Sequence, residues 1–250
     1  MKIDRRHVYG IMVDTETCNT LDDPLCYDIS WQVIDSHGRL YENRSFAVRE
    51  VFSEMTELMQ SAYYAHKIPE YHEQIQAGEK ALETLYTIKQ QMRKDVEKYD
   101  CKFICAHNAR FDNRSLNMTQ RYLTCSKYRW FVPYGLIWWD TMKMAESVIC
   151  KMPTYKAFCE KNNYKCKNGQ LRKTAEILYR FITKDNEFVE EHKALDDVNI
   201  ERQILAYCVR QHKKMRRELW GWKAPRPRAG REKPIDKNRE LCYNKTIKRR

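Results

Sequence analysis

The order of apolar patterns along the chain predicts an α/β fold, in which a mixed central β-sheet is flanked by α-helices. Three strand-like segments come first, helical and strand-like segments then alternate, and several helical segments follow. Of the 250 residues, 42% are hydrophobic and 32% are charged, a composition that supports a packed core and is unlike that of a disordered protein.

The first three strand-like segments predict an antiparallel meander. Residues 7–13 (HVYGIMV) form an apolar run that ends at Asp14, and residues 28–35 (DISWQVID) alternate between apolar and polar side chains. A turn at Gly38 leads into the third segment, residues 40–48 (LYENRSFAV). Strands that are joined by short turns pair antiparallel, so these three segments are expected to form the antiparallel part of the mixed sheet.

The rest of the chain supplies the flanking helices and further strands. Apolar spacing predicts helices over residues 79–99, 111–123, 154–162, 171–182 and 192–214, strands over 102–106 and 130–139, and a helix that follows Asp140. Asp140 is expected to cap that helix. Residues 51–78 are mixed in character and are interrupted by Pro69, so they predict short helices and loops. Whether they cover a functional site is left open by the sequence.

The positive charge of the chain is concentrated at its C-terminal end. The chain has 46 Lys and Arg against 34 Asp and Glu, a formal net charge of +12. Residues 210–250 hold 16 of the basic and 4 of the acidic side chains, so the remainder is balanced. We therefore expect one domain over residues 1–222 and a basic, flexible arm over 223–250. Such asymmetry favours contact with nucleic acid, although a solubilising tail is the alternative.

Cysteine usage and the N-terminus bear on the cellular location. None of the ten cysteines forms a CxxC pair, which disfavours a structural zinc site. The N-terminus lacks the apolar stretch of a secretory signal, and no apolar run approaches the roughly 20 residues that cross a bilayer. We therefore expect a cytoplasmic protein with no membrane partner.

Carboxylates at the end of the first strand indicate a cation site. Asp14 and Glu16 are two residues apart, so on a strand they point to the same face. Two adjacent carboxylates repel each other, and a divalent cation that prefers hard oxygen ligands, Mg²⁺ or Mn²⁺, would offset that repulsion. The pair alone is weak support, because solvated acids at a strand end are common.

Two later segments carry similar groups. Asp112 lies at the predicted start of a helix, where a helix cap is the simpler interpretation. His192 precedes Asp197 by five residues, close to the start of another predicted helix. Each of these features is unspecific when it is taken alone.

Together, the three segments resemble one family. In order, the motifs VDTET (13–17), HNARFD (107–112) and HKALDD (192–197) are similar to those of the DEDDh, or DnaQ-like, exonucleases, which include ribonuclease T and proofreading subunits of bacterial replicases. The resemblance covers about residues 7–210. It implies a ribonuclease H-like fold and 3′→5′ hydrolysis of single-stranded nucleic acid, DNA before RNA, that releases nucleoside 5′-monophosphates.

The resemblance also implies residue roles. Asp14, Glu16 and Asp197 would hold one Mg²⁺, and Asp14 with Asp112 would hold a second, with Mn²⁺ as a substitute. His192 would act as general base. The expected contacts with the terminal nucleotide come from Thr15, Thr17, Asn108 and Phe111. Core packing is the alternative for Phe111.

Other interpretations stay open at this point. The chain is also compatible with a nucleic-acid-binding or polymerase-accessory module in which the nuclease site is secondary or idle. A ribonuclease H-like endonuclease shares the fold, but it does not need His192. The resemblance leaves two candidate protein partners, a second copy of the chain or a polymerase.

Overall fold

The computed structural model describes residues 3–220 of the 250-residue chain, and in these residues the predicted mixed sheet is confirmed. Its six strands lie in the order β4-β3-β2-β1-β5-β6. They are β1 (Tyr9–Asn19), β2 (Pro24–Asp35), β3 (Leu40–Val48), β4 (Ala81–Glu83), β5 (Phe103–Ala106) and β6 (Ile137–Asp140). The meander β1-β2-β3 is antiparallel, whereas β4, β5 and β6 each pair in parallel with a neighbour.

Nine α-helices lie within residues 3–220. They are α1 (Arg49–Phe52), α2 (Thr56–Met59), α3 (Ile68–Gln76), α4 (Leu85–Tyr99), α5 (Arg110–Thr124), α6 (Thr141–Ser147), α7 (Pro153–Lys161), α8 (Ala175–Thr183) and α9 (Ala194–Arg210). The short helices predicted for the segment around Pro69 are confirmed. Pro69 stands in the first turn of α3, where its fixed φ is favourable and no intrahelical N–H is lost.

Helices cover both faces of the sheet, and alternation along β1 separates two hydrophobic cores. Ile11 and Val13 pack with residues of α4 and α5. Met12 points to the opposite face and packs with α6, α8 and α9. Because side chains two residues apart on a strand share a face, Asp14 and Glu16 continue the face of Met12, toward α9.

Several predicted boundaries of secondary structure are wrong, and two of them have a clear physical cause. The strand predicted over residues 130–139 is confined to Ile137–Asp140, because Pro133 cannot donate to a sheet and Gly135 has a φ of +97°. The helix predicted from residue 79 begins only at Leu85, because residues 81–83 pair with β3 as β4. In the second case a tertiary contact overrides local helical spacing.

The chain after α9 closes one edge of the sheet. Leu219 N donates to Trp138 O at 2.8 Å, and Asp140 N donates to Arg217 O at 2.8 Å, so residues 217–219 run antiparallel to β6. The expected domain boundary at residue 222 and the basic arm over 223–250 lie outside the described residues. Within residues 3–220, no helix combines the length and apolar character that a bilayer crossing requires.

Candidate active site

The first two predicted carboxylates lie side by side in the interior of β1, which continues past them to Asn19. The pairing with β2 shifts register between Glu16 and Thr17, and this β-bulge re-aims the strand at Glu16. Desolvation raises the pKa of Glu16 to about 8, and the charge of Asp28 adds to the effect. Desolvation also raises the pKa of Asp14 well above its usual range, reinforced by Asp112. The charge of Lys67 offsets only part of the shift at Glu16, so the two carboxyls are incompletely neutralised by the described residues.

Asp112 comes from the first turn of α5, as the sequence predicts. Its Oδ1 accepts a hydrogen bond of 3.0 Å from Thr15 Oγ1, and both side chains are buried. This bond ties the helix to β1 next to Asp14. Burial raises the pKa of Asp112 to about 7. The hydroxyl of Thr15 is therefore engaged in a hydrogen bond to Asp112 within the protein.

Asp197 and His192 lie at the start of α9. Asp197 is in the first turn of the helix, as predicted, and its Oδ1 has no hydrogen-bond partner. Burial raises its pKa to about 9. Glu16, His192 and Asp197 each place one ligand atom within 4.8 Å of the others. Asp14 and Asp112 fall outside this trio, although the charges of Asp112, Asp197 and Glu16 all act on Asp14.

His192 has an unusual backbone and a neutral ring. Its φ is +50°, in the left-handed region that a non-glycine residue enters only at a cost. Partial burial, together with the charge of Lys67, lowers the pKa of the imidazole below its usual value. A neutral imidazole has one nitrogen free to accept a proton.

The segment that the sequence left open contacts this histidine. The ring of Tyr64 stacks on His192, with centroids 4.6 Å apart and planes 14° from parallel. Lys67 donates to the carbonyl of Glu191. Lys193 forms an ion pair of 2.9 Å with Glu70 in α3. Residues 64–70 therefore hold the backbone on both sides of His192.

A buried ion pair beneath the site was missed by sequence reasoning. Asp28 lies opposite Glu16 in the β1–β2 register. Its Oδ1 accepts from Lys80 Nζ at 2.7 Å and its Oδ2 from the hydroxyl of Tyr71 at 2.8 Å. The same Oδ2 accepts a longer bond of 3.4 Å from Ala194 N, at the start of α9. Asp28 thus links β2, α3 and α9. The network was not predicted because its members are far apart in the sequence.

Glu201 is a further carboxylate that sequence reasoning missed. It lies one helical turn after Asp197 on the same face of α9, is 3% exposed, and its Oε2 has no hydrogen-bond partner. Burial raises its pKa well above the usual range, and the charges of Asp112 and Asp197 reinforce the shift. The available signal was a glutamate one turn after Asp197, on a helical stripe that continues with Ile204 and Leu205.

The HNARFD segment is held by Asp140, whose predicted capping role is confirmed. Asp140 Oδ1 accepts from Met142 N at 2.9 Å and from Asn108 N at 3.2 Å. His107 Nε2 lies 2.8 Å from the carbonyl of Lys173. Since a carbonyl only accepts, Nε2 carries the proton. The ring of this histidine therefore fixes a loop, whereas its backbone hydrogen-bonds Glu201.

The remaining predicted contact residues differ in exposure. Thr17 is half-buried beside the bulge, and Asn108 is exposed with a φ of +61°. Phe111 is half-buried, and the guanidinium of Arg114 lies 5.8 Å from its ring centroid. Both interpretations of Phe111, packing and stacking, are compatible with this position.

The donor set fits a hard divalent cation. Asp197 Oδ1 and Glu201 Oε2 are buried without partners, and a buried carboxylate without compensation is costly. The surrounding groups are carboxylates and one imidazole, which suit Mg²⁺ or Mn²⁺. Asp14, Glu16, Asp112 and Asp197 are the residues that could hold such ions.

Comparisons with known proteins agree with this arrangement at the level of the fold. No protein-family model matches the sequence, and no curated protein is significantly similar to it. The structure is similar to that of a full-length 3′-exonuclease (TM-score 0.54, 12% identity, covering 92% of this chain and 94% of that one). It is also similar to a 3′-exonuclease that recognises the 3′ end of a histone mRNA stem-loop (TM-score 0.53, 12% identity, 88% and 71% coverage). A third likeness is to cell-death related nuclease 4, CRN-4 (TM-score 0.51, 10% identity, 84% and 67% coverage). The chain therefore has the ribonuclease H-like fold of these nucleases.

Proposed function

We propose that the protein is a 3′→5′ exonuclease that hydrolyses single-stranded nucleic acid and releases nucleoside 5′-monophosphates. The observation that carries this proposal is the convergence of Glu16, His192 and Asp197 within 4.8 Å, with Asp14 adjacent on the same strand. The fold shared with solved 3′-exonucleases supports it. So does the order of the three motifs along the chain.

In this proposal four carboxylates hold two Mg²⁺ ions, with Mn²⁺ as a substitute. Asp14, Glu16 and Asp197 hold one ion, and Asp14 with Asp112 holds the other. When bound, the ions supply Lewis acidity for in-line attack of water on the terminal phosphodiester and neutralise the leaving 3′ oxygen. The carboxylates would hold the ions beside the bulge of β1 and offset their positive charge.

His192 is the proposed general base. Its lowered pKa keeps the imidazole neutral near pH 7, so a ring nitrogen can accept the proton of the attacking water. The stacked ring of Tyr64 limits rotation of the imidazole. The ion pair of Lys193 with Glu70 steadies the following backbone.

We propose that Thr17, Asn108 and Phe111 contact the terminal nucleotide of the substrate, and that Thr15 does so through its backbone. We propose DNA as the first substrate and RNA as the second, since the chemistry acts on the phosphodiester that both share. A second copy of the chain or a polymerase is the proposed protein partner.

The test is digestion of 5′-labelled single-stranded DNA and RNA of equal sequence, with Mg²⁺, with Mn²⁺ and with chelator. The informative variants are Asp197→Asn and His192→Ala. Asp196→Asn is the matched control, because Asp196 is exposed in the same helical turn as Asp197. We expect a metal-dependent ladder that shortens from the 3′ end, is lost in the two variants and is retained in the control.

Other outcomes would decide against the proposal. Intact substrate in every lane, with tight binding by the wild type, would overturn the enzyme and favour a binding module. Internal cuts that persist in His192→Ala would favour an endonuclease. Equal loss in Asp196→Asn and Asp197→Asn would mean that the helix, and not the buried carboxylate, is responsible.

A further inference from the structure

We infer that the connection between α5 and β6 carries a second nucleic-acid site, a platform on which the 5′-ward part of a single strand stacks. This inference rests on the proposed function, because the strand is the one whose 3′ end lies in the candidate active site. The platform is defined as Arg121, Lys127, Tyr128, Trp130 and Tyr134.

The rings of the platform are unusually exposed. Tyr128 is 79% exposed, and Trp130 and Tyr134 are each 56% exposed. Burial of such a ring releases about 25 cal/mol for each Å² of apolar surface. Three exposed rings on one connection are therefore unfavourable unless a ligand covers them.

Cations accompany two of these rings. The guanidinium of Arg121 lies 4.8 Å from the ring centroid of Trp130, and Lys127 Nζ lies 5.3 Å from that of Tyr128. Each ring thus has a cation near one face, and its exposure leaves other surface open to a base. Aromatic rings interleaved with cations bind single strands by stacking on bases while pairing with phosphates.

The charge of the whole segment is complementary to a polyanion. Residues 113–139 contain no Asp or Glu, and they include Arg114, Arg121, Lys127 and Arg129. Within a body whose charges otherwise balance, this is a locally basic stretch. In a duplex the faces of the bases are stacked on one another and cannot contact the rings. The complementary ligand is therefore a strand with unpaired bases.

The loop is anchored so that Trp130 faces outward. The neighbouring Phe131 is fully buried, and its N–H donates to Asn117 Oδ1 at 3.0 Å. The carbonyl of Trp130 accepts from Lys89 Nζ at 2.7 Å. A ring held in place before binding loses little conformational freedom when a base stacks on it.

The distance from the candidate active site sets a length requirement. Asp112 is in the first turn of α5, whereas Phe131 and Trp130 contact Asn117 and Arg121, which lie five and nine residues further along that helix. At a rise of about 1.5 Å per residue, this offset is about 8–14 Å along the helix axis. At the stacked rise of about 3.4 Å per nucleotide, a strand needs about two to four nucleotides to cover it.

The experiment measures binding in chelator, so that hydrolysis does not interfere. Fluorescence anisotropy of 5′-labelled oligo-dT of about two and about sixteen nucleotides, at the lower limit of the length requirement and well above it, is compared between the full-length wild type and variants. We expect Trp130→Ala to weaken binding of the long oligonucleotide about tenfold, the change expected when a stacked base is lost. The short oligonucleotide should bind equally well to both proteins.

Two controls separate stacking from folding and from charge. Trp130→Phe retains an aromatic face and should keep most of the affinity for the long strand. Lys127→Ala should weaken long-strand binding more than Lys167→Ala, because Lys167 is an exposed lysine in another loop.

Several results would overturn the inference. They are an unchanged affinity of Trp130→Ala for the long oligonucleotide, an equal loss with both lengths, or an equal loss in Trp130→Phe. The first would assign the exposed rings to a protein partner instead. Length-dependent binding without any metal-dependent hydrolysis would overturn the proposed function while leaving the platform in place.

Discussion

In the absence of divalent cations, the protein should become less stable as the pH rises. The folded pKa values of Glu16 and Asp197 are about 8 and about 9, because their carboxyls are desolvated. In the unfolded chain both groups titrate near pH 4. Between about pH 5 and pH 8 the folded state therefore holds protons that unfolding releases, so raising the pH favours unfolding.

The size of the effect follows from that linkage. One such group lowers the free energy of unfolding by up to about 1.4 kcal/mol for each pH unit in this window. From pH 6 to pH 8, Glu16 alone contributes a loss of about 2 kcal/mol. For a domain of this size, that loss lowers Tm by about 4–8 °C.

The assay is thermal unfolding at pH values from about 6 to 8, in chelator and in excess Mg²⁺. A bound cation requires ionised carboxylates, so the rise in Tm that Mg²⁺ causes should grow with pH. Asp197→Asn should raise Tm in chelator at the high end of the range and shrink the effect of Mg²⁺. Asp22→Asn, an exposed control, should behave as wild type. A Tm in chelator that is constant or rises with pH, in wild type and Asp197→Asn alike, would refute the reasoning.

Three further predictions test the neighbours of the site. Glu201→Gln removes a buried carboxyl whose pKa is raised well above its usual range on folding, so it should raise Tm in chelator and weaken Mn²⁺ binding in calorimetry; unchanged binding would place Glu201 outside the cation's surroundings. Lys80→Met leaves the Asp28 carboxylate buried without its cation and should cost about 3–5 kcal/mol in urea unfolding, and a loss below about 1 kcal/mol would contradict the ion-pair argument. Tyr64→Ala should lower the hydrolysis rate and alter its pH profile by freeing His192, whereas Tyr64→Phe should preserve both; equal effects of the two variants would assign the role to the hydroxyl.

Local spacing was sufficient to predict where several candidate site residues lie in the secondary structure. Asp14 and Glu16 share a face because a strand has a period of two, and Asp112 and Asp197 open helices whose apolar spacing is regular. Asp140 caps a helix because of the chain immediately around it. Each of these features depends on neighbours within a few residues.

Features that depend on distant parts of the chain were not predictable in this way. Tyr64 and His192 are far apart in sequence and meet only after α3 folds against the start of α9. The burial of Glu201 depends on which face of α9 meets the sheet. The aromatic run around Trp130 has strong strand propensity, yet it lies in a loop because Pro133 and Gly135 intervene.

The short pairing after α9 bears on how the protein can be shortened. Residues 217–219 occupy the outer hydrogen-bonding groups of β6, the last strand of the sheet. A chain cut after Arg210 would leave that row of amides and carbonyls open to another copy, which invites edge-to-edge aggregation. A chain cut after Trp220 keeps the row covered while losing most of the C-terminal positive charge. A comparison of the two shortened proteins therefore separates aggregation through the β6 edge from the loss of the C-terminal charge, although they differ by only ten residues.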